Sequence, residues 1–164
     1  MIPIPWRCVK SWSCLACGRC CKGFDVVLDF NEWINIVRSY DMGATKPGIT
    51  KIYLNKKADG TCVFLYKFFD KWICGLQHMK PRACKLWPFR IYKNPKYGRP
   101  NEAQFTIWNK KFFIYVDPLC AGIKWGTPGK FMLKTIREFI EIGLGVRKKQ
   151  YYSTANIHSP IIYT

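Results

Sequence analysis

Residues 14–21 read CLACGRCC, four cysteines in eight positions. Cys14, Cys17 and Cys20 are spaced C-x2-C-x2-C, an arrangement in which tight turns aim three successive thiolates at the irons of one cluster. A zinc ribbon would instead set two Cys-x2-Cys knuckles face to face, and the remaining cysteines of the pattern, Cys62, Cys74, Cys84 and Cys120, are isolated along the chain. The spacing therefore favours iron and sulfur, as a [4Fe-4S] cluster. Zinc is the alternative, because four thiolates gathered by folding satisfy its tetrahedral preference whatever their order. Cys20 and Cys21 are neighbours, and in extended backbone neighbouring side chains face opposite ways, so the two are expected to serve different centres, or one of them none. Eight thiols, Cys14, Cys17, Cys20, Cys21, Cys62, Cys74, Cys84 and Cys120, divide into one or two centres, with Cys8 left over.

The composition bounds the rest. A chain of 164 residues that is 49% hydrophobic and 16% aromatic has enough apolar surface for a real core. No run of eighteen apolar residues occurs, and MIPIPWRCVK lacks the layout of a secretory signal, so a cytoplasmic, non-membrane location is expected. In that reducing compartment an odd total of nine cysteines points to metal ligation rather than disulfides. Twenty-seven Lys and Arg against ten Asp and Glu give a formal charge of +17, spread along the chain rather than gathered in a tail. Each four-thiolate centre contributes about −2, so even two of them leave the chain strongly basic. Such a surface repels itself unless something anionic covers it.

Periodicity predicts an α+β fold: a small antiparallel sheet, two or three helices, and irregular loops organised by metal. The chain is expected to form one domain over 1–164, with 146–164 a basic-aromatic C-terminal tail. A short strand is predicted from Asp25, then a helix opened by Asp29 and Glu32 as a capping box, with Trp33, Val37 and Tyr40 on its buried face. ITKIYLN predicts a strand, and TCVFLYKFFDKWIC two strands around a turn at FFDK. Pro81 suits the first turn of a short helix holding Cys84. PFRIYKN, AQFTIWN and KFFIYV predict a meander, with Trp108 and Tyr92 in the core and a break at Asn109-Lys110-Lys111. Thr127 and Pro128 mark the start of a last helix whose stripe is Met132, Ile136, Ile140 and Leu144.

The basic residues fall in segments expected to be loops, interleaved with aromatics. Lys56, Lys57, Arg90, Lys93, Lys96, Arg99, Lys110, Lys111, Arg147, Lys148 and Lys149 are candidates for phosphate contacts, and Tyr151 and Tyr152 for stacking on unpaired bases. The expected partner is RNA or a ribonucleoprotein such as the ribosome, with an acidic protein as the alternative. Membrane binding fits less well, since the lysines are not arrayed on one amphipathic helix.

CLACGRCC, DGTCVFL, CGLQHMKPRACKLWPF and DPLCAG, in that order over about residues 14–123, resemble the CxxCxxCC family of zinc- or iron-chelating cysteine-cluster domains. The resemblance implies a metal scaffold built on the same eight cysteines. The chain departs from the family's usual pattern at Gln77, where Tyr is usual, and at Lys80 and Lys85, where Arg is usual. A lysine does not reproduce the forked contact of a guanidinium. Relatives labelled iron–sulfur oxidoreductases and lysine methylases make an iron–sulfur redox or methyl-transfer enzyme the alternative function. Against it, the sequence contains no radical-SAM spacing, no nucleotide-binding glycine loop and no nucleophile with an identifiable base, and the only histidines are His78 and His158.

Overall fold

A computed structural model describes residues 1–152. His158 and the tail from 153 to 164 lie outside the described residues. In chain order the elements are β1 (Ile4–Pro5), β2 (Val9–Trp12), α1 (Arg19–Gly23), β3 (Val27–Leu28), α2 (Phe30–Tyr40), β4 (Thr45–Pro47), β5 (Ile52–Leu54), β6 (Leu65–Phe68), β7 (Lys71–Cys74) and α3 (Arg82–Leu86). They continue with β8 (Phe89–Tyr92), α4 (Pro100–Ala103), β9 (Gln104–Ile107), β10 (Lys110–Val116), β11 (Ile123–Trp125) and α5 (Lys130–Gly143). The class is α+β, with every sheet antiparallel. The chain divides into two compact units, one of residues 1–15 with 85 onward and the other of residues 16–84.

In the first unit β10 is the hub, pairing with β1, β8 and β9. The β9–β10 connection is a two-residue turn, Trp108-Asn109, both at positive φ (49° and 57°), as a type I′ hairpin requires. Trp108 is consequently exposed at the turn instead of in the core, and Lys110 and Lys111 begin the strand instead of breaking it. Onto the core of this unit α5 contributes Met132, Ile136, Phe139 and Ile140. Phe139 stacks at 4.4 Å on Phe89, and Trp12 meets both rings edge-on at 5.7 Å.

Helix α5 starts at Lys130, later than the Thr127-Pro128 signal, because Gly129 is still extended (ψ 175°). It ends one residue before Leu144, which caps the helix and stays half exposed while Gly145 turns the chain at φ 76°. Two acidic residues of α5, Glu138 and Glu141, are buried. Arg147 returns to both, at 3.1 and 2.7 Å, and the backbone N–H groups of Tyr151 and Tyr152 donate to Glu138 at 2.9–3.0 Å. The charges are thus paired inside, as buried charges must be.

The second unit has one substantial helix and strands of only two to four residues. The capping box of α2 is complete, Asp29 accepting from the Glu32 N–H at 2.9 Å and Glu32 from the Asp29 N–H at 3.0 Å. Its buried face centres on Ile36, with Trp33 partly buried beside it, whereas Tyr40 at the last turn stays partly exposed and leans its ring on Phe64 at 4.9 Å. The strand predicted from Asp25 shrinks to Val27–Leu28, its C-terminal end set by Asp29, which is committed to the helix cap. Strands β3, β5 and β4 form one small sheet, and β6 and β7 a separate hairpin that turns at Phe69-Asp70, within the FFDK expected.

Phe139→Ala should cost about 3–5 kcal/mol in a denaturant titration, since it empties a site shared with two other aromatic rings. Leu133→Ala, on the exposed side of the same helix, should stay within about 0.5 kcal/mol.

Candidate metal centre

The second unit brings its thiols together from four different segments. Gly18, at φ 71°, lets the chain turn from the Cys17 loop into α1, the helix that carries Cys20 and Cys21. A Cβ on Gly18 would stand 2.9 Å from Cγ of Trp72, so the glycine is required both by its dihedral and by the closeness of β7. The Trp72 N–H donates to the Ala16 carbonyl at 2.8 Å, and the Cys62 N–H donates to the Cys21 carbonyl at 2.9 Å. These two bonds fix the cysteine loop against the hairpin and against the Cys62 segment. Cys74 ends β7 opposite Leu65, and Cys84 lies in α3, whose first residue follows the buried Pro81.

Cys20 and Cys21 do not face apart. Their Sγ atoms are 3.8 Å from one another, because they sit on a helical turn, where successive side chains diverge by about 100°, and not on extended backbone. That separation is the roughly 3.8 Å edge of a tetrahedron with 2.3 Å zinc–sulfur bonds. The Cys20 thiol is pulled down to about 6, first by its hydrogen bond with Cys21, against the cost of burial and with help from the Lys80 charge. The same hydrogen bond, followed by burial and by the nearby sulfurs of Cys74 and Cys84, pushes Cys21 up. Burial raises Cys62, Cys74 and Cys84, and each is raised further by charge on neighbouring thiols. Cys20, Cys21, Cys62, Cys74 and Cys84 therefore share one electrostatic neighbourhood. None of the nine cysteines is in a disulfide.

Among the described residues no three or more His, Cys, Asp or Glu side chains already stand close enough to hold a metal ion. What the fold supplies is the donor set. Five thiols in one neighbourhood, one already inclined to the thiolate, suit a thiophilic metal ion or cluster, and oxygen-loving cations have no carboxylate set there. Lys80, which sequence spacing alone did not select as a site residue, stands near enough for its charge to help lower Cys20 and to oppose the rise at Cys74 and Cys84. A point charge there offsets the negative charge that thiolate ligation leaves behind.

The remaining predicted ligands are placed differently. Cys17 is exposed in its loop. Cys14 and Cys120 belong to the first unit, where Cys14 is exposed and Cys120 packs beside the core and accepts the Trp12 indole N–H at 3.3 Å. Cys8, outside the motif, donates to Glu102 at 3.5 Å. His78 is exposed on a short 3-10 turn.

Among the basic candidates, Arg90 is paired with buried Asp117 at 2.8 Å, Arg99 with Glu102, Arg147 with Glu138 and Glu141, and Lys56 with Asp25 at 2.8 Å. Lys57 donates to the Leu65 carbonyl at 2.7 Å. Lys93, Lys96, Lys110, Lys111, Lys148 and Lys149 are exposed, with no ion pair among the described residues. Lys96 lies over the rings of Tyr92 and Tyr97, at 5.1 and 5.9 Å. Tyr151 is largely exposed and Tyr152 partly so, with the Phe131 ring 5.6 Å from Tyr152.

Cys74→Ser and Cys84→Ser should each lower metal content, measured by elemental analysis on purified protein, and destabilise the second unit. Cys8→Ser should leave metal content unchanged. Gly18→Ala, which alters no ligand, should also reduce metal loading and cost upwards of about 1 kcal/mol, through the left-handed dihedral and the Trp72 contact.

No curated protein and no solved structure matches this chain. One family model does, over residues 13–121, which span all eight cysteines of the motif and exclude Cys8. Its description is "Putative zinc- or iron-chelating domain", in agreement with the donor set gathered between Cys20 and Cys84. With most of its length matched by that model, the chain belongs to the CxxCxxCC family.

Proposed function

We propose that this protein is a metal-stapled RNA-binding module that works in the cytoplasm, within or on a ribonucleoprotein such as the ribosome. The observation that carries this reading is the charge: a chain at +17 whose exposed lysines at 93, 96, 110, 111, 148 and 149 have no carboxylate partner among the described residues. Its few acidic groups are largely used within the fold, as caps and as partners of arginines, so the lysines are left for an external polyanion. No helix among the described residues is long and apolar enough to cross a membrane.

The metal is then a staple, and a [4Fe-4S] cluster is our assignment, from the C-x2-C-x2-C spacing. Of that run only Cys20 stands in the sulfur neighbourhood of the second unit, where Cys21, Cys62, Cys74 and Cys84 would supply further ligands, while Cys14 and Cys17 are exposed. When bound, the metal offsets the entropy of ordering a unit with little regular structure. Protein purified without oxygen should be brown and carry about four irons and four sulfides per cluster. Stoichiometric zinc in a colourless protein would overturn the assignment of iron and leave the scaffold standing.

RNA affinity should fall with salt, with a log-log slope of about −0.7 for each phosphate neutralised on a single strand. Replacing Lys148 and Lys149 together by Ala should flatten that slope and weaken binding to unrelated sequences about equally. Reduction and reoxidation of the metal centre should leave affinity unchanged. Turnover of a substrate on reduction, abolished by a cysteine substitution that spares the fold, would make the protein an iron–sulfur enzyme instead.

A further inference from the structure

The β6–β7 hairpin carries a row of uncovered rings. Tyr66 and Phe68 alternate with Lys67 along β6, so both rings leave the strand on the same side, and Phe69 follows at the turn. All three are exposed, Phe69 at 83%. The Tyr66 ring lies against Gly75, where a Cβ would meet it at 2.7 Å, and Lys57 approaches the same ring at 5.4 Å. Lys71 stands directly across from Phe68. The only acidic residue of the hairpin is Asp70, beside Phe69 at the apex.

Phe69 is the informative residue. It is the first of the two turn residues, at φ 51°, where short hairpin loops take glycine, asparagine or aspartate. A phenylalanine there makes the turn harder to form and contributes almost no burial. Its ring meets Phe68 edge-on at 4.8 Å, with planes 84° apart, so the two present their faces in different directions around the apex. Strain held at an exposed aromatic is a feature to be explained by what the ring contacts, since within the fold the Phe68 ring is the one aromatic it meets among the described residues.

We propose that the row Tyr66, Phe68 and Phe69 is a stacking platform for unpaired bases of single-stranded RNA, with Lys57 and Lys71 meeting the flanking phosphates. The proposal rests on the RNA reading above and adds to it a specific surface, in a part of the chain not among the basic candidates apart from Lys57. Exposed aromatics on a β surface, interleaved with lysines, are suited to flat apolar rings joined by negative charges, because stacking uses the ring faces while the ammonium groups take the backbone. An anionic bilayer would also attract the lysines, but burying Phe69 in it would carry the Asp70 carboxylate out of water at the same apex.

The test uses metal-loaded, full-length protein and a labelled oligo(U), with a blunt RNA duplex as comparison, read by fluorescence anisotropy. Phe68→Ala with Phe69→Ala should weaken oligo(U) binding at least about ten-fold, since each stacked base accounts for roughly five- to a hundred-fold, and leave duplex binding and the salt slope unchanged. Phe69→Gly separates binding from folding. It relieves the turn and should raise the melting temperature while lowering oligo(U) affinity, and Phe69→Trp should restore it. If the wild-type protein binds oligo(U) and the double variant binds it equally well, the platform is wrong and the RNA reading stands. Binding to the duplex but not to oligo(U) likewise overturns the platform and leaves the RNA reading in place. If the wild-type protein binds neither RNA, nor ribosomes, at low salt, the RNA reading fails and the platform with it. Phe69-dependent binding to vesicles of anionic phospholipid, in place of oligo(U), would make the hairpin a membrane contact and overturn the proposal.

Discussion

Five sulfurs in one partly buried neighbourhood repel one another as soon as they ionise, and the second unit is arranged around that fact. Each backbone link that draws the segments together, from Trp72 to Ala16 and from Cys62 to Cys21, also brings thiols closer. The cost is met in two ways. Most of the thiols are held neutral, with their proton affinities raised by burial and by each other, and the one inclined to ionise, Cys20, has a thiol donor on one side and the Lys80 ammonium nearby. A cation at the centre would reverse the sign of the problem, turning mutual repulsion into shared attraction. The short strands and small core of this unit, Leu28, Ile36, Leu54, Phe64, Leu65 and Leu76 at its heart, are consistent with a unit that relies on such a centre for cohesion.

The first unit follows a different logic. Its core is a conventional one of aromatic and aliphatic side chains, and its buried charges are arranged as closed pairs: Asp117 with Arg90, and Glu138 and Glu141 with Arg147. Arginine suits these positions, since its planar fork satisfies carboxylates at fixed geometry while lysine remains a mobile, hydrated point charge. The division of labour follows the chemistry, with guanidinium groups turned inward to carboxylates and ammonium groups left at the surface.

Much of the fold is legible wherever the signal is local. The capping box at Asp29 and Glu32, the turn inside FFDK and the buried positions 132, 136 and 140 of the last helix all follow from residues within a few positions of one another. The differences between expectation and structure come from backbone conformations that side-chain pattern does not encode. Extended backbone would make Cys20 and Cys21 diverge, whereas a left-handed Gly18 starts a helical turn there. Trp108 reads as a core residue of a β run, yet the run reverses at Trp108-Asn109. The ion pairs of Arg147 are invisible in the sequence for another reason: a glutamate nine residues earlier has no distinguishing mark until the chain past Gly145 folds back along α5. Of the candidate site, the sequence marks the thiols as candidates but not their division between two units, because spacing along the chain says nothing about which segments close on each other.

The contact between Glu138 and the backbone of Tyr151 and Tyr152 has a mechanical consequence. Two N–H groups of one strand of chain grip a single carboxylate seated on the face of a helix, and Arg147 grips it as well. Any pull arriving from beyond residue 152 meets this three-point clamp before it reaches the last turn of α5. The clamp works as a cable's strain relief does: tension is borne first by the bonds at Glu138, and the helix behind them is spared from unwinding at its end.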